Sequence, residues 1–141
     1  MLETAFANKF QLDAVPMLNL MDVHYNSFKK KVLPALVKHE VGVLGMKPMG
    51  DRMILESGTM PAIECLHDAM SLPTSVAITG YESMPTLQQA LDAARSFRPL
   101  ELKEVNGMRT KTAQAAQAEK FELYKTTHNF DGPFSNPQWL G

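Results

Sequence analysis

Between Leu12 and Phe97 a short apolar run is followed, three times over, by a stretch with helical spacing. Uninterrupted apolar runs read as strands covered on both faces. Their alternation with amphipathic helices is the pattern of a parallel sheet flanked by helices. The first run, Leu12 to Leu20, contains Pro16, whose missing N–H weakens any ladder it joins. Val41 to Met46 (VGVLGM) is the second and clearest run, and Ser75 to Thr79 (SVAIT) the third. After the first run, Asn26 and Ser27 offer caps for a helix with Phe28, Val32, Leu33, Leu36 and Val37 on one stripe, and Pro34 is expected to kink it. After the second, a loop over residues 47–59 leads to a helix capped at Thr59, with Pro61 in its first turn and Ile63, Leu66, His67 and Met70 on its stripe. After the third, Ser83 caps a helix with Pro85 near its start, and Pro99 ends it. Met1 to Lys9 reads as the end of a preceding helix.

The length bounds what this pattern can become. With 141 residues the chain makes one domain of ordinary size and buries roughly 70% of its unfolded surface. A complete TIM barrel, typically ~250 residues, is excluded. The formal charge of -1 argues against a dedicated nucleic-acid binder, which carries a basic face. Cys65 is the single cysteine, so an intrachain disulfide framework and a CxxC zinc site are excluded, and a reducing compartment, the cytoplasm, is expected. No run approaches the ~18 apolar residues of a membrane span. The first ten residues do not read as a signal peptide. After Pro99 the composition changes. Leu100 to Glu122 is charged and alanine-rich, an exposed helix, and residues 126–141 read as an extended tail anchored by Phe130, Phe134 and Trp139.

In parallel α/β proteins, chemistry collects in loops that follow the C-terminal ends of strands. Strand, Gly80, then a helix starting at Ser83 is an anion-binding arrangement, and equally a plain turn with an N-cap. Lys47, directly after the second run, suits an anionic ligand or a carbonyl, or is a solvated strand end. Asp22, His24 and Tyr25 could form an acid/base cluster, or be the ordinary polar exit of a strand. The four histidines lie far apart in sequence without helical pairing, so no metal site is expected. Cys65 reads as packing rather than nucleophile.

VLPALVKHEVGVLGMKPMG (Val32 to Gly50), ECLHDAMSLPTSVAITG (Glu64 to Gly80) and the ending HNFDGPFSNPQWLG resemble, in order, the C-terminal part of a bacterial-type aldo/keto reductase. The resemblance implies a partial (β/α)8 TIM barrel. Residues 1–99 would hold its last three strand–helix units, and residues 100–141 a C-terminal helix and extended tail. It implies an oxidoreductase that moves hydride between NADP(H) and a small carbonyl or alcohol substrate. The cofactor-binding positions it implies are Met46, Lys47, Pro48, Met49, Gly50, Gly80, Ser83 and Gln89. Pro48 and Gly50 match the family pattern. Met46 stands where the family has an aromatic, Lys47 where it has a serine, and Thr86 where it often has an arginine. The Asp/Tyr/Lys/His tetrad belongs to earlier strands, so no catalytic residue is assigned and the chain alone is expected to be inactive. The alternative is a non-enzymatic nucleotide- or partner-binding α/β module. In either reading no nucleic acid, membrane or metal is implied, and exposed sheet edges favour self-association.

Overall fold

A computed structural model of the chain describes residues 2–117, 120–129 and 132–140. Helices and turns dominate it. The helices are α1 (Leu2–Ala7), α2 (Phe28–Lys31), α3 (Leu33–Lys38), α4 (Met53–Glu56), α5 (Ala62–Met70), α6 (Met84–Ser96), α7 (Leu102–Ala116), α8 (Leu123–Thr126) and α9 (Gly132–Ser135). Two strands, β1 (Leu44–Gly45) and β2 (Val76–Ala77), pair in parallel with Leu44 opposite Val76.

The partial barrel of three strand–helix units is not what the described residues form, because the strands are too few. The apolar run from Leu12 to Leu20 makes only isolated parallel bridges, Ala14 with Val43 and Met17 with Met46. Pro16 stands between those bridges and has no N–H to donate, so the ladder does not continue through it. The second and third runs reach strand geometry only at their centres, two residues each. Among its described residues the tail is also not extended throughout: it forms α9 and a 3-10 turn over Pro137–Leu140. Phe134 and Trp139 are 60% and 67% exposed and anchor little, while Phe130 and Met1 lie outside the described residues.

Local signals placed several helix ends. The Ser27 side chain accepts the Lys30 N–H and starts α2. Helix α2 breaks at Val32, and α3 follows with Pro34 in its first turn, where a missing N–H costs nothing. At α6 the Ser83 hydroxyl accepts from Thr86 N, and Thr86 Oγ1 accepts from Ser83 N, a reciprocal capping box. Thr59 caps nothing. Pro61, with extended backbone, stands at the start of α5. Helix α7 opens on a capping box of Glu101 and Glu104, and the Glu104 carboxyl is held at about 2 by the Arg98 guanidinium and the Glu101 N–H.

Two apolar clusters hold these pieces. Leu18, Leu33, Leu36 and Val43 pack α3 against the bridged segment. Leu20, Met21, Ile54, Cys65, Met108 and Phe121 join the loop after the first run to α4, α5, α7 and the start of the tail. Leu36, Ile54 and Cys65 are fully buried, each large aliphatic side chain contributing about 1.5–3 kcal/mol over exposure. A buried ion pair, Lys29 Nζ to Asp68 Oδ2 at 2.5 Å, fastens α2 to α5.

Candidate functional site

The loops leaving β1 and β2 meet in one cleft. Met46, Lys47, Pro48 and Met49 form one side, and Ile78, Thr79 and Gly80 the other, around a cavity of about 250 Å3. Five of the eight residues expected at a cofactor site, Met46 to Met49 and Gly80, therefore share one cavity. Gln89 lines a smaller recess of about 70 Å3 that shares Met49, Arg52 and Gly80 with it. Gly50 faces a different cavity, described below, and Ser83 is engaged in the cap of α6.

The backbone of the first loop is unusual. Lys47, Gly50, Asp51 and Arg52 all have left-handed φ, between 53° and 71°. Gly50 needs that freedom twice over, since a Cβ there would also meet Ile54 at 3.1 Å. For the three non-glycine residues the conformation is costly, and such strain gathers where a site is pre-shaped. Across the cleft, a Cβ added at Gly80 meets nothing within 4 Å, so this backbone is open to a ligand.

The cleft is electrostatically balanced. Lys47 Nζ lies 3.0 Å from Asp51 Oδ2, and Arg52 pairs with Glu82 across the mouth. Glu82 raises the Arg52 pKa, first through the hydrogen bond and then through its charge. Arg52 and Glu82 side chains are 64% and 74% exposed, so the pair is weak and open to competition. The start of α6 has few donors left for an anion: Pro85 has no N–H and the Thr86 N–H is taken by Ser83. Lys47 and Arg52, rather than the helix end, are the groups that can hold negative charge here. Arg52 and Glu82 are 30 residues apart, and sequence reading singled out neither as a pair; no local signal marks them.

A second cavity of about 250 Å3 lies behind Lys47, walled by Met17, Met53, Phe121 and Leu123, with Asn19 and Gly50 completing it. Its roof is the segment 121–125 that leads into the tail. That roof is fixed by a buried charge network. Asp22 is fully buried and accepts from Ser27 Oγ (2.5 Å), Phe28 N (2.8 Å), Lys29 N (3.0 Å) and Lys125 Nζ (2.5 Å). Lys125 Nζ also sits 4.5 Å from the Phe28 ring centroid, a cation–π contact. Glu122 Oε1 accepts from Asn19 Nδ2 at 2.8 Å. Glu122 Oε2 lies 2.6 Å from Lys125 Nζ without hydrogen-bond alignment, so that attraction is Coulombic. Burial pushes the Asp22 carboxyl up, but Lys125, Ser27 and the two backbone N–H groups outweigh it, and the net shift is downward.

The Asp22, His24 and Tyr25 set is thus structural. It lies on a 3-10 turn, Asp22–His24, instead of a continued strand. His24 Nε2 bonds Thr112 Oγ1 at 2.8 Å and Tyr25 Oη donates to the Ala116 carbonyl at 2.8 Å, both on α7. Burial, then the charges of Lys30 and Arg109, lower the His24 pKa. His67 bonds the Ala93 carbonyl and packs against Phe97, holding α5 to α6. Cys65 is buried and its thiol is pushed up to about 12, chiefly by burial; it is no nucleophile. Among the described residues no three His, Cys, Asp or Glu side chains converge as metal ligands, and no helix is long and apolar enough to cross a membrane. Comparison with known proteins found no match: no family model fits the chain, and no curated protein or solved structure is significantly similar to it.

Proposed function

We propose that this chain binds a nicotinamide nucleotide, NADP(H), in the cleft between residues 46–52 and 78–83. It is the cofactor side of an aldo/keto-reductase-like oxidoreductase of the cytoplasm and does not transfer hydride by itself. One observation carries the reading. The two loops expected to hold the cofactor, far apart in sequence, converge on one cavity at the C-terminal ends of two parallel strands, the end where α/β sheets bind ligands. Phosphate oxygens would displace the Glu82 and Asp51 carboxylates from Arg52 and Lys47, and the bare backbone at Gly80 would lie against the cofactor chain. Because each cation already has a carboxylate partner, binding is weak and falls with salt.

NADPH fluorescence titration of the purified chain tests this. Submillimolar, saturable binding with no carbonyl reduction is expected. Glu82→Gln frees Arg52 and tightens binding about two- to fivefold. Gly80→Glu, whose Cβ meets nothing within 4 Å and whose carboxylate opposes the phosphates, abolishes it. A titration without saturation, or a Glu82→Gln variant that binds more weakly, overturns the cleft. Turnover that copurifies with the chain overturns the division of labour.

A further inference from the structure

The second cavity is a site of its own. We propose that it takes a small carboxylic acid with an apolar body, an aromatic or branched acid of roughly eight to ten heavy atoms, its carboxylate at Lys47 and its body under the tail. The size follows from the cavity, about 250 Å3, or roughly eight water volumes. The class follows from the walls. Met17, Met53, Phe121 and Leu123 offer apolar surface, two of them as adaptable thioethers. The polar side chains that line the cavity are Lys47, its carboxylate partner Asp51, and Asn19, so the cation becomes available to a ligand only as Asp51 is displaced toward solvent. Asn19 is buried, and among the described residues its Nδ2 donates only to Glu122, leaving one amide hydrogen. A neutral oxygen or a carboxylate would suit Asn19. Charge decides where the anion sits. Behind Asn19 lies the buried Glu122 carboxylate, which repels negative charge deep in the cavity. At the mouth, among the described residues, Lys47 is paired only with the 77%-exposed Asp51 side chain at 3.0 Å. A carboxylate takes Asp51's place there, and the apolar body fills the interior.

The cavity shares Lys47 and Asp51 with the nucleotide cleft, so the two ligands compete for Lys47, and the readings are separated by variants of the lining that the sites do not share. The probes are benzoate, with nine heavy atoms by its formula (roughly the cavity's capacity), and benzyl alcohol, which has the same ring without the charge. Binding is read by ligand-observed NMR and calorimetry on the full chain. Benzoate binds saturably, and benzyl alcohol at least about tenfold more weakly, the worth of one charge-assisted contact. Leu123→Trp fills the cavity from the roof and Met53→Trp from the opposite wall. Each abolishes benzoate binding while keeping a cooperative melt and the NADPH titration of the parent. The proposal is overturned if benzoate does not saturate, if benzyl alcohol binds equally well, or if a folded cavity-filling variant still binds benzoate. Loss of NADPH binding with benzoate binding intact removes the nucleotide reading alone.

Discussion

Lys125 Nζ lies 2.5 Å from Asp22 Oδ1, joining positions 103 residues apart in the chain. Both side chains are buried, at 5% and 0% exposure. Removing the cation from such a pair leaves buried carboxylate charge that only neutral donors offset, a loss of about 3–5 kcal/mol. Lys125→Met is therefore expected to lower unfolding free energy in urea by that order. Adding Asp22→Asn to Lys125→Met removes one of the two carboxylate charges left behind, Glu122 keeping the other, and recovers part of the loss. A Lys125→Met chain as stable as the parent would show that the tail is not fastened there.

Stability should fall with acid in two windows. His24 has its pKa lowered from about 6.5, so the unfolded state binds the proton first, and stability is lost as pH falls below that value. The Asp22 pKa is lowered from about 3.8, so its contribution is complete above that value and disappears as pH falls through the lower, folded one. Denaturation from pH 7 down to pH 2 reads the upper window and the onset of the lower one. His24→Gln flattens the upper limb and leaves the lower one unchanged; an unaltered upper limb would remove His24 from the account.

Backbone strain at Asp51 can be isolated by two substitutions that delete the same side chain. Its φ is 59°, easy for glycine and unfavourable for alanine. Asp51→Gly is expected to be more stable than Asp51→Ala by about 1 kcal/mol in chemical denaturation. Equal stabilities would mean that the loop relaxes out of the left-handed region.

Ser83→Ala removes one half of the α6 capping box and is expected to cost about 1 kcal/mol, Ser83→Gly only a few tenths. Thermal melts of the two variants rank them. If both are neutral, the start of α6 is held by packing instead.

The sequence was most informative where a structure depends on neighbours. Ser27 and Ser83 stand three residues before the N–H groups they cap, and Pro34 begins a new helix close to its expected kink. The three apolar runs do lie next to one another, Ala14 bridging Val43 and Leu44 standing opposite Val76, but only the second and third pair as strands. Apolar character alone overstated the strands. It does not report whether each N–H finds a partner, and at Pro16 there is none to offer. The charge network escaped entirely. Asp22 looked like a site because it is a carboxylate at a strand exit, and only the tail's return, with Lys125 and Glu122, shows that its oxygens are already occupied. Pairs such as Arg52 with Glu82 leave no periodic trace, since exposed charges carry no pattern of burial.

Cys65 turns the chain into its own clock. It is the sole thiol, sealed at 0% exposure in a cluster that includes Met108, Ala116 and Phe121, and burial pushes its pKa up to about 12. In the closed state it is silent to an alkylating reagent, so each labelled molecule records an excursion in which that layer lifted away. Labelling that outpaces global unfolding would time the parting of α7 and the tail from α5, and would do so without any reporter group being added.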